Sequence, residues 1–346
     1  MSTAIRPASP DDRHELIELL ERNIPGKQTG HFAWRHEANP VGRAWSWVLY
    51  EKGTDAIVAM TSLFPRRVYV AGKPTICGII GEFVVDVAYR SLGPAVALQR
   101  ATFEPVQLGK VAFCFDTVPH DQGMSTFVRL GMRPNCDVVR YALLLRADEF
   151  VEKKMGPRIW TKPAVISANL VLRSRRSKPD PHEFEISEFR GAFDEEFSSL
   201  DKQLAKSDQV RFERSAEFLN WSFRGNPESP ARILVARHSG ELVAFLGFRV
   251  YDGRVSISNL FGRQISSSGP ALIDALIDLA QKEKMHCIES HISHGSETTA
   301  AFNRTGFHKR ETAARVVTYP NSVVENVALD GSLTWEMSRC DTMLAG

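Results

Sequence analysis

The sequence has no long hydrophobic run and no apolar opening segment. Nowhere do about 18 apolar residues follow one another, as a membrane-spanning helix requires, and the first ten residues carry no stretch of the apolar length typical of a signal peptide. The sequence therefore predicts a cytoplasmic protein with no transmembrane segment.

Excess charge and paired cysteines are also missing. The 43 basic and 41 acidic residues give a net charge of +2, too weak a field to indicate a nucleic acid as the main partner. The five cysteines contain no Cys-x-x-Cys pair, which favours reduced, mostly buried thiols over a disulfide framework or a structural zinc site. His286, Glu289, His291 and His294 form a cluster of possible ligands, but only residues 289 and 291 share a strand face, so we predict no metal site.

A long internal repeat organises the chain. Trp34 and Trp221 are 187 residues apart, and each lies in a Phe- and Trp-containing segment followed by Asn-Pro. Further matches follow in the same order: Gly93-Pro94-Ala95 with Gly269-Pro270-Ala271, and Phe127-x-x-x-Gly131 with Phe302-x-x-x-Gly306. A period of this length is the size of a whole domain, which predicts two copies of one fold rather than a solenoid.

Both copies show the same alternation of helical and strand patterns, so the predicted fold class is α+β. In the first copy we predict a helix after Ser9-Pro10, strands over 44–50, 56–63, 66–70 and 75–87, and a helix over 93–108, with Gly53, Pro65, Gly72 and Pro74 as turns. In the second copy the corresponding helix is predicted over 269–284. The predicted domains are 1–150 and 184–346, joined by a linker over 151–183.

The linker segment differs in character from the two copies. Within 159–178, an apolar helical pattern is followed by a cluster of basic residues. Such a segment could lie on an anionic membrane surface. A linker helix docked on one domain, with a solvated run of charge, is the simpler interpretation.

The densest chemical signal is the segment 81–95, where a β-branched strand leads through a basic turn into a helix. The pattern Arg90-x-x-Gly93-x-Ala95 places small residues at a helix N-terminus. There, unpaired N–H groups and the helix dipole can meet a phosphate that approaches the main chain closely. The pattern predicts an anion cradle, for which pyrophosphate is a suitable ligand.

On these residues the chain resembles the GNAT acyltransferases, which use acetyl-CoA or another acyl-CoA as co-substrate. Their Arg/Gln-x-x-Gly-x-Gly/Ala signature is met by Arg90, Gly93 and Ala95, and the segment Phe127 to Met132 looks like their closing motif. The resemblance implies two tandem GNAT-like domains, each a mixed, mostly antiparallel sheet flanked by helices. The Trp-Arg and Asn-Pro segment and the ending Trp335–Asp341 further resemble double-GNAT proteins of bacterial polysaccharide and exopolysaccharide biosynthesis.

The resemblance also implies a donor site in the first copy. The pantetheine arm would lie between the strands 81–87 and 111–115, with the pyrophosphate at the turn. The implied cofactor-binding residues are Val85, Val87, Arg90, Ser91, Leu92, Gly93 and Ala95. Pro94 removes one N–H from this cradle. The second copy has Ser266 where the first has Arg90, and because it lacks this basic residue we expect only the first copy to bind the donor.

For the chemistry, Glu82 is the best base candidate by position, with Asp86, Asp116, His120 and Asp121 nearby. Phe127 and Phe302 replace the tyrosine that often serves the family as general acid, which leaves Ser125 or water for that step. A solvated or capping role stays open for each carboxylate.

Three functions follow from the sequence. The first is direct transfer of an acetyl or other acyl group to an amine or hydroxyl of a small molecule or sugar precursor, with no covalent intermediate and no metal. The alternative is a catalytically inactive scaffold or binding protein of a polysaccharide system. An aminoacyl transfer that uses charged tRNA is disfavoured by the near-zero net charge. Oligomeric state is not indicated.

Overall fold

The structure, a computed structural model, describes residues 2–24, 29–90, 92–119, 121–146, 183–227, 230–320, 329 and 333–342. The predicted linker and its basic cluster lie outside these ranges, apart from Glu183. We call residues 2–146 the N-terminal half and 183–342 the C-terminal half. No helix within the described ranges is long and apolar enough to cross a membrane.

The N-terminal half alternates short helices with a meander of strands. A π-helical turn over Ala33–Glu37 follows its second helix. Its elements are β1 (Thr3–Pro7), α1 (Arg13–Asn23), α2 (Thr29–Phe32), β2 (Trp45–Glu51), β3 (Ile57–Val70), β4 (Lys73–Val85), α3 (Leu92–Ala101), α4 (Glu104–Gln107), β5 (Phe113–Val118), α5 (Asp121–Arg129) and β6 (Arg133–Leu144).

The C-terminal half repeats this order with two additions, a strand after its first helix and one at its end. A π-helical turn over Asn220–Arg224 again follows a short helix. Its elements are β7 (Glu185–Phe189), α6 (Glu195–Gln203), β8 (Gln209–Phe212), α7 (Ala216–Leu219), β9 (Arg232–His238), β10 (Glu241–Tyr251), β11 (Arg254–Gly262), α8 (Ile265–Lys282), β12 (Cys287–Ser293), α9 (Glu297–Arg304), β13 (His308–Pro320) and β14 (Thr334–Glu336).

One mostly antiparallel sheet runs through both halves in the order β1-β2-β3-β4-β5-β13-β6-β12-β11-β10-β9-β7. From either end the strands of the sheet follow the same order, except that β6 of the N-terminal half and β13 of the C-terminal half have changed places. β13 pairs with β5, and β6 pairs with β12. The predicted α+β class is confirmed, and the halves share hydrogen-bonded strands rather than meeting only through side chains.

The predicted turn at Pro65 is wrong, because β3 continues through it from Ile57 to Val70. Opposite β4, Pro65 pairs with Gly78. On its other side, the β2 partners end at Leu63 and the β8 partners begin at Val68. A residue without an N–H is tolerated between two partner strands, since no ladder bond is lost there.

Two other boundaries differ from the prediction. Pro74 lies inside β4, which ends at Val85 rather than at residue 87. The predicted helix over 93–108 divides into α3 and α4, because the chain turns at Thr102 and Phe103, whose side chains are buried.

Apolar residues cover both faces of the sheet. One cluster packs Leu98, Phe103 and Val106 of the α3–α4 segment on one face of β4 and β5. A second packs Leu16, Leu19 and Leu20 of α1 on the opposite face, against Val84 and neighbouring residues. The end of β4 therefore lies between two helical layers.

Candidate active site

A β-bulge distorts β4 where the predicted chemistry lies. Ser62 pairs with Gly81 and Met60 with Val84, so that Glu82 and Phe83 together oppose one residue of β3. Glu82 has a φ of 52°, in the left-handed region. Bulges of this kind redirect side chains: Glu82 is buried, whereas Phe83 is exposed.

The bulge directs Glu82 into a cluster with residues of α2 and the following π-helical turn. Its carboxylate oxygens lie 3.3 Å from His31 Nε2 and 2.6 Å from His36 Nε2, and Arg35 Nη1 donates to it at 3.2 Å. Burial by itself would raise the pKa of Glu82. The hydrogen bonds to both histidines and the charge of Arg35 outweigh that effect and hold its pKa well below the ordinary value.

Glu82 is therefore an ionised carboxylate and a weak proton acceptor on its own. A carboxylate in this position orients the imidazoles and stabilises a positive charge on them. The sequence prediction missed His31 and His36. The repeat contained a signal for them. When the copies are aligned on Trp34 and Trp221, the two histidines fall opposite Phe218 and Phe223, so polar residues replace apolar ones at these two positions of the first copy.

A groove opens beside the bulge. β4 and β5 pair in parallel only at Gly78 with Cys114 and Ile79 with Phe115, and beyond these pairs the strands separate. A cavity of about 420 Å³ lies at the free end of β4. Its lining is contributed by the ends of α1 and β4 and the start of α3: Asn23, Ile24, Phe83, Val84, Val85, Arg90 and Ala95.

The structure brings several predicted cofactor residues to this groove. Val85, Arg90 and Ala95 line it. Arg90 Nε donates to the Val85 carbonyl oxygen at 3.0 Å. Gly93 lies in the first turn of α3 with open space where a side chain would be, so that a ligand can approach its backbone.

The remaining predicted residues have other positions. Val87 is exposed in a 3-10 turn, and Leu92 begins α3. Ser125 lies within α5, while Ser91 and His120 are outside the described residues.

Asp86 lies in an ion pair at the end of β4. Arg22 donates to both of its carboxylate oxygens, at 3.0 and 2.7 Å, and Asn23 donates at 2.7 Å. The hydrogen bond from Arg22 is the main cause that lowers the pKa of Asp86. These contacts tie the end of α1 to the end of β4, so the role of Asp86 is structural rather than that of a proton acceptor.

Asp116, a second carboxyl group at this end of the sheet, has a pKa close to neutral pH. It lies on β5 just beyond the last parallel pair with β4. Burial raises the pKa of Asp116 to about 7, and the Thr117 N–H at 2.6 Å offsets this effect only in part. A group with such a pKa can exchange protons at physiological pH.

In the C-terminal half, the corresponding gap is filled by the chain itself. β11 and β12 also pair in parallel and then separate. The segment 333–342 occupies the opening: Ser338 bridges to Ile292, Asn259 Nδ2 donates to Ser338 Oγ at 3.2 Å, and the Ser293 N–H donates to the Met337 carbonyl oxygen at 3.0 Å.

The C-terminal half also lacks a turn that could hold a phosphate at the position corresponding to Arg90–Ala95. α8 begins at Ile265, so Ser266 to Pro270 are helical, and the predicted start at residue 269 is wrong. Gly269 is buried, and a Cβ there would lie 3.0 Å from that of Ala301. Pro270 is the sixth residue of α8 and has no N–H for the Ser266 carbonyl oxygen, which instead accepts from Arg304 Nη1 at 2.7 Å.

A second cavity, of about 410 Å³, lies between the halves, on the α2 side of the sheet. Trp34 and Trp221 stack in its wall with ring centroids 4.7 Å apart, and the indole N–H of each donates to the backbone carbonyl of the other at 2.9 and 3.0 Å. We call this space the central cavity. Arg35 lines it and also donates to Glu82, so it joins the central cavity to the Glu82 cluster.

The residues at the family's general-acid position are core residues. Phe127 and Phe302 are both buried, among the side chains under α5 and α9. Within the described ranges, no group of three or more His, Cys, Asp or Glu side chains is placed to hold a metal ion.

Comparison with known proteins agrees with this geometry. Residues 4–115 match the acetyltransferase (GNAT) domain. This range ends within β5, so it contains the bulge, the groove and the turn at Arg90. No curated protein shows a significant sequence match to the chain.

Solved structures extend the likeness in fold to nearly the whole chain. A probable N-acyltransferase from Enterococcus faecalis is similar over 92% of this chain and 72% of its own, with a TM-score of 0.65 at 11% identity. A GCN5-related N-acetyltransferase from Anabaena variabilis gives a TM-score of 0.65 at 11% identity, over 93% and 74%. A putative acetyltransferase from Pyrococcus horikoshii gives 0.55 at 17%, over 96% and 94%. The fold is that of the GNAT acyltransferases.

Proposed function

We propose that the protein is an acyltransferase that moves an acetyl or other acyl group from acyl-CoA to an amine or hydroxyl of a small molecule. The observation that carries this proposal is the open groove beside the β4 bulge, with the Arg90 turn at its end. The GNAT match over residues 4–115 supports the same donor.

Only the N-terminal half would hold the donor in this proposal. The corresponding gap of the C-terminal half contains residues 333–342, and Ser266 to Pro270 are helical there. We interpret the chain as two tandem GNAT-like units, with boundaries near residues 150 and 184, in which the second unit shapes the acceptor site.

The proposed reaction is direct transfer. The acceptor nitrogen or oxygen attacks the thioester carbonyl carbon, the C–S bond breaks, and the CoA sulfur leaves as thiolate and takes a proton. Main-chain N–H groups at the bulge would stabilise the oxyanion. We assign the acceptor's proton to the Glu82–His31–His36 cluster, in which an imidazole accepts it and Glu82 stabilises the resulting charge.

Binding of the donor tests the proposal first. Isothermal titration of the full chain with acetyl-CoA should give saturable heat, and Arg90→Glu should abolish it. Arg263→Glu is the control and should preserve the heat, because Arg263 lies just before α8 in the C-terminal half, where residues 333–342 fill the corresponding gap. Absence of heat with the unmodified protein would remove the donor assignment. Release of free CoA that requires an added acceptor would then separate an enzyme from a binding protein.

A catalytically inactive binding protein is the second candidate. It is favoured by one observation, the buried Phe127 and Phe302 at the family's acid position. This candidate predicts that acetyl-CoA binds and that no acceptor yields free CoA. A role in bacterial polysaccharide biosynthesis rests on the sequence resemblance alone and stays a prediction, as does a cytoplasmic location.

A further inference from the structure

The central cavity is rich in arginine. Four arginines contribute to its lining, namely Arg35, Arg66, Arg249 and Arg339, against one carboxylate, Asp252. Arg35 donates to Glu82, and Arg339 Nη1 lies 3.9 Å from Glu289. The wall of the cavity therefore carries positive charge toward whatever enters it.

Arg66 is the most informative of the four. Its side chain is buried, at 3% exposure, and its Nε and Nη1 have no hydrogen-bond partner among the described residues. Its Nη2 donates to the Glu213 carbonyl oxygen at 2.6 Å, and its guanidinium lies 3.3 Å from the centre of the Phe218 ring. Buried donors without partners are rare in native proteins and call for an explanation.

The neighbouring charges leave Arg66 in excess. Arg211 pairs with Asp201, and Arg214 pairs with Asp341. Arg66 reaches only the second of these carboxylates, at 3.6 Å. Burial, together with the charge of Arg214, lowers the pKa of Arg66 to about 10. A third buried cation beside two buried carboxylates is costly unless another anion approaches.

The rest of the lining suits a small polar molecule. The stacked Trp34 and Trp221 and the ring of Phe64 give flat apolar walls. The Ser256 and Ser258 hydroxyls accept from Arg339 Nη1 at 2.6 Å and from Arg249 Nη1 at 3.1 Å, and so hold these two guanidinium groups at the cavity. The volume of about 410 Å³ falls within the usual range of small-molecule sites. Guanidinium groups bind carboxylate and phosphate groups with two parallel hydrogen bonds.

We propose that the central cavity binds a small acceptor that carries a carboxylate or phosphate group, recognised by Arg66 with Arg249 and Arg339. The word acceptor rests on the proposed acyltransferase function; the anion site itself does not. The neutral part of the molecule would lie against the tryptophan pair, and its nucleophile toward Arg35 and the Glu82 cluster.

The test is isothermal titration of the full chain carrying Arg90→Glu, which removes the predicted phosphate turn from the measurement. Inorganic phosphate and malonate serve as the two probes. We expect saturable binding of at least one, weakened at least about tenfold by adding Arg66→Met. Asp252→Asn should tighten binding several-fold, since it removes the carboxylate of the lining, and Arg263→Met should leave it unchanged.

The probes that bind identify the anionic group of the ligand. Heat with phosphate alone assigns a phosphate-bearing ligand, heat with malonate alone a carboxylate, and heat with both a general anion site. No saturable heat with either probe would overturn the proposal. So would affinities unaffected by both Arg66→Met and Asp252→Asn, the second of which guards against a folding defect in the first. Because the assay involves neither donor nor turnover, its result is independent of the acyltransferase proposal.

Discussion

The two halves carry different side chains at one corresponding place, the bulge in the fourth strand from each end of the sheet. Each has a π-helical turn after a short helix and a bulge in the strand facing it. Glu82 occupies the bulge of β4, and Ser258 occupies that of β11, between the pairs Gly247–Asn259 and Phe248–Ile257. One scaffold thus presents two different chemistries at the same place.

The residues around each bulge differ in the same sense. His31 and His36 surround Glu82, whereas Phe218 and Phe223 fill the corresponding positions and are buried in an apolar core. A duplicated fold can therefore keep a charged cluster in one copy and turn the other into packing. In the proposed function, the N-terminal half supplies the chemistry and the C-terminal half the shape of the acceptor site.

The largest expected effect concerns whether the halves can be separated at all. A chain that ends at residue 150 should not fold, because β5 loses its partner β13 and β6 loses both β13 and β12. Far-ultraviolet circular dichroism with a thermal melt measures this. A cooperative melt of the fragment would show that the exchanged strands are dispensable.

The next effect contrasts two buried arginines between the halves. Arg214→Met should lower the free energy of unfolding by about 3–5 kcal/mol, because it leaves the fully buried Asp341 without its main partner. Asp341 outweighs burial and raises the pKa of Arg214, as a tight pair requires. Urea unfolding measures the free energy of unfolding of this variant and of the matched Arg66→Met variant.

Arg66→Met is the matched substitution. It should cost at least about 2 kcal/mol less than Arg214→Met, since it removes the excess cation and leaves two pairs intact. Equal losses from the two substitutions would mean that Arg66 is as well compensated as Arg214.

A third prediction tests the chemistry assigned to the N-terminal half. With an acceptor found, Glu82→Gln should reduce kcat about 10²-fold or more, because the imidazoles lose the carboxylate that stabilises their charge. Glu311→Gln, an exposed carboxylate paired with Arg140, is the control and should retain turnover. Undiminished kcat in Glu82→Gln would exclude the cluster as proton acceptor.

The smallest effect compares two carboxyl groups at equivalent strand positions, Asp116 on β5 and Glu289 on β12. Each lies two residues beyond the cysteine of the first parallel pair. Because folding raises the pKa of Asp116 to about 7, its contribution to stability is present at low pH and is lost as the pH rises from about 4 through 7. Asp116→Asn should flatten that decline, by up to about 3 kcal/mol between pH 5 and pH 8.

Removing the Glu289 carboxylate should have the opposite effect on stability at neutral pH. Tyr251 donates to it at 2.7 Å and Arg140 at 3.3 Å, so Glu289→Gln should lower the stability at neutral pH. Chemical unfolding at pH 5 and pH 8 measures both variants. Matching signs for the two substitutions would show that the two positions are not electrostatically distinct.

The repeat, the α+β class and the groove with its basic turn could be predicted from the sequence, since period, alternation and glycine placement are local signals. The contact of Glu82 with His31 and His36 could not be predicted, because it depends on a bulge that no residue type indicates. The repeat shows only that the two histidines stand where the second copy has Phe218 and Phe223. Pro65 shows a related limit: whether proline ends a strand depends on which strands lie beside it.

The central cavity was beyond prediction for the same reason. Arg66, Arg249 and Arg339 come from three distant segments and meet only through the long-range pairing of both halves. Trp34 and Trp221 stand at equivalent positions of the two copies. They pack on each other and line the cavity at once.

The exchange of β6 and β13 has a consequence for biosynthesis. A ribosome delivers β5 well before β13, which begins only at His308, so the edge of the nascent N-terminal sheet stays open until β13 has been translated. Domains usually fold as they emerge, N-terminal first. Here the order of closure is reversed, because the N-terminal half acquires its final strand only after most of the C-terminal half has been made.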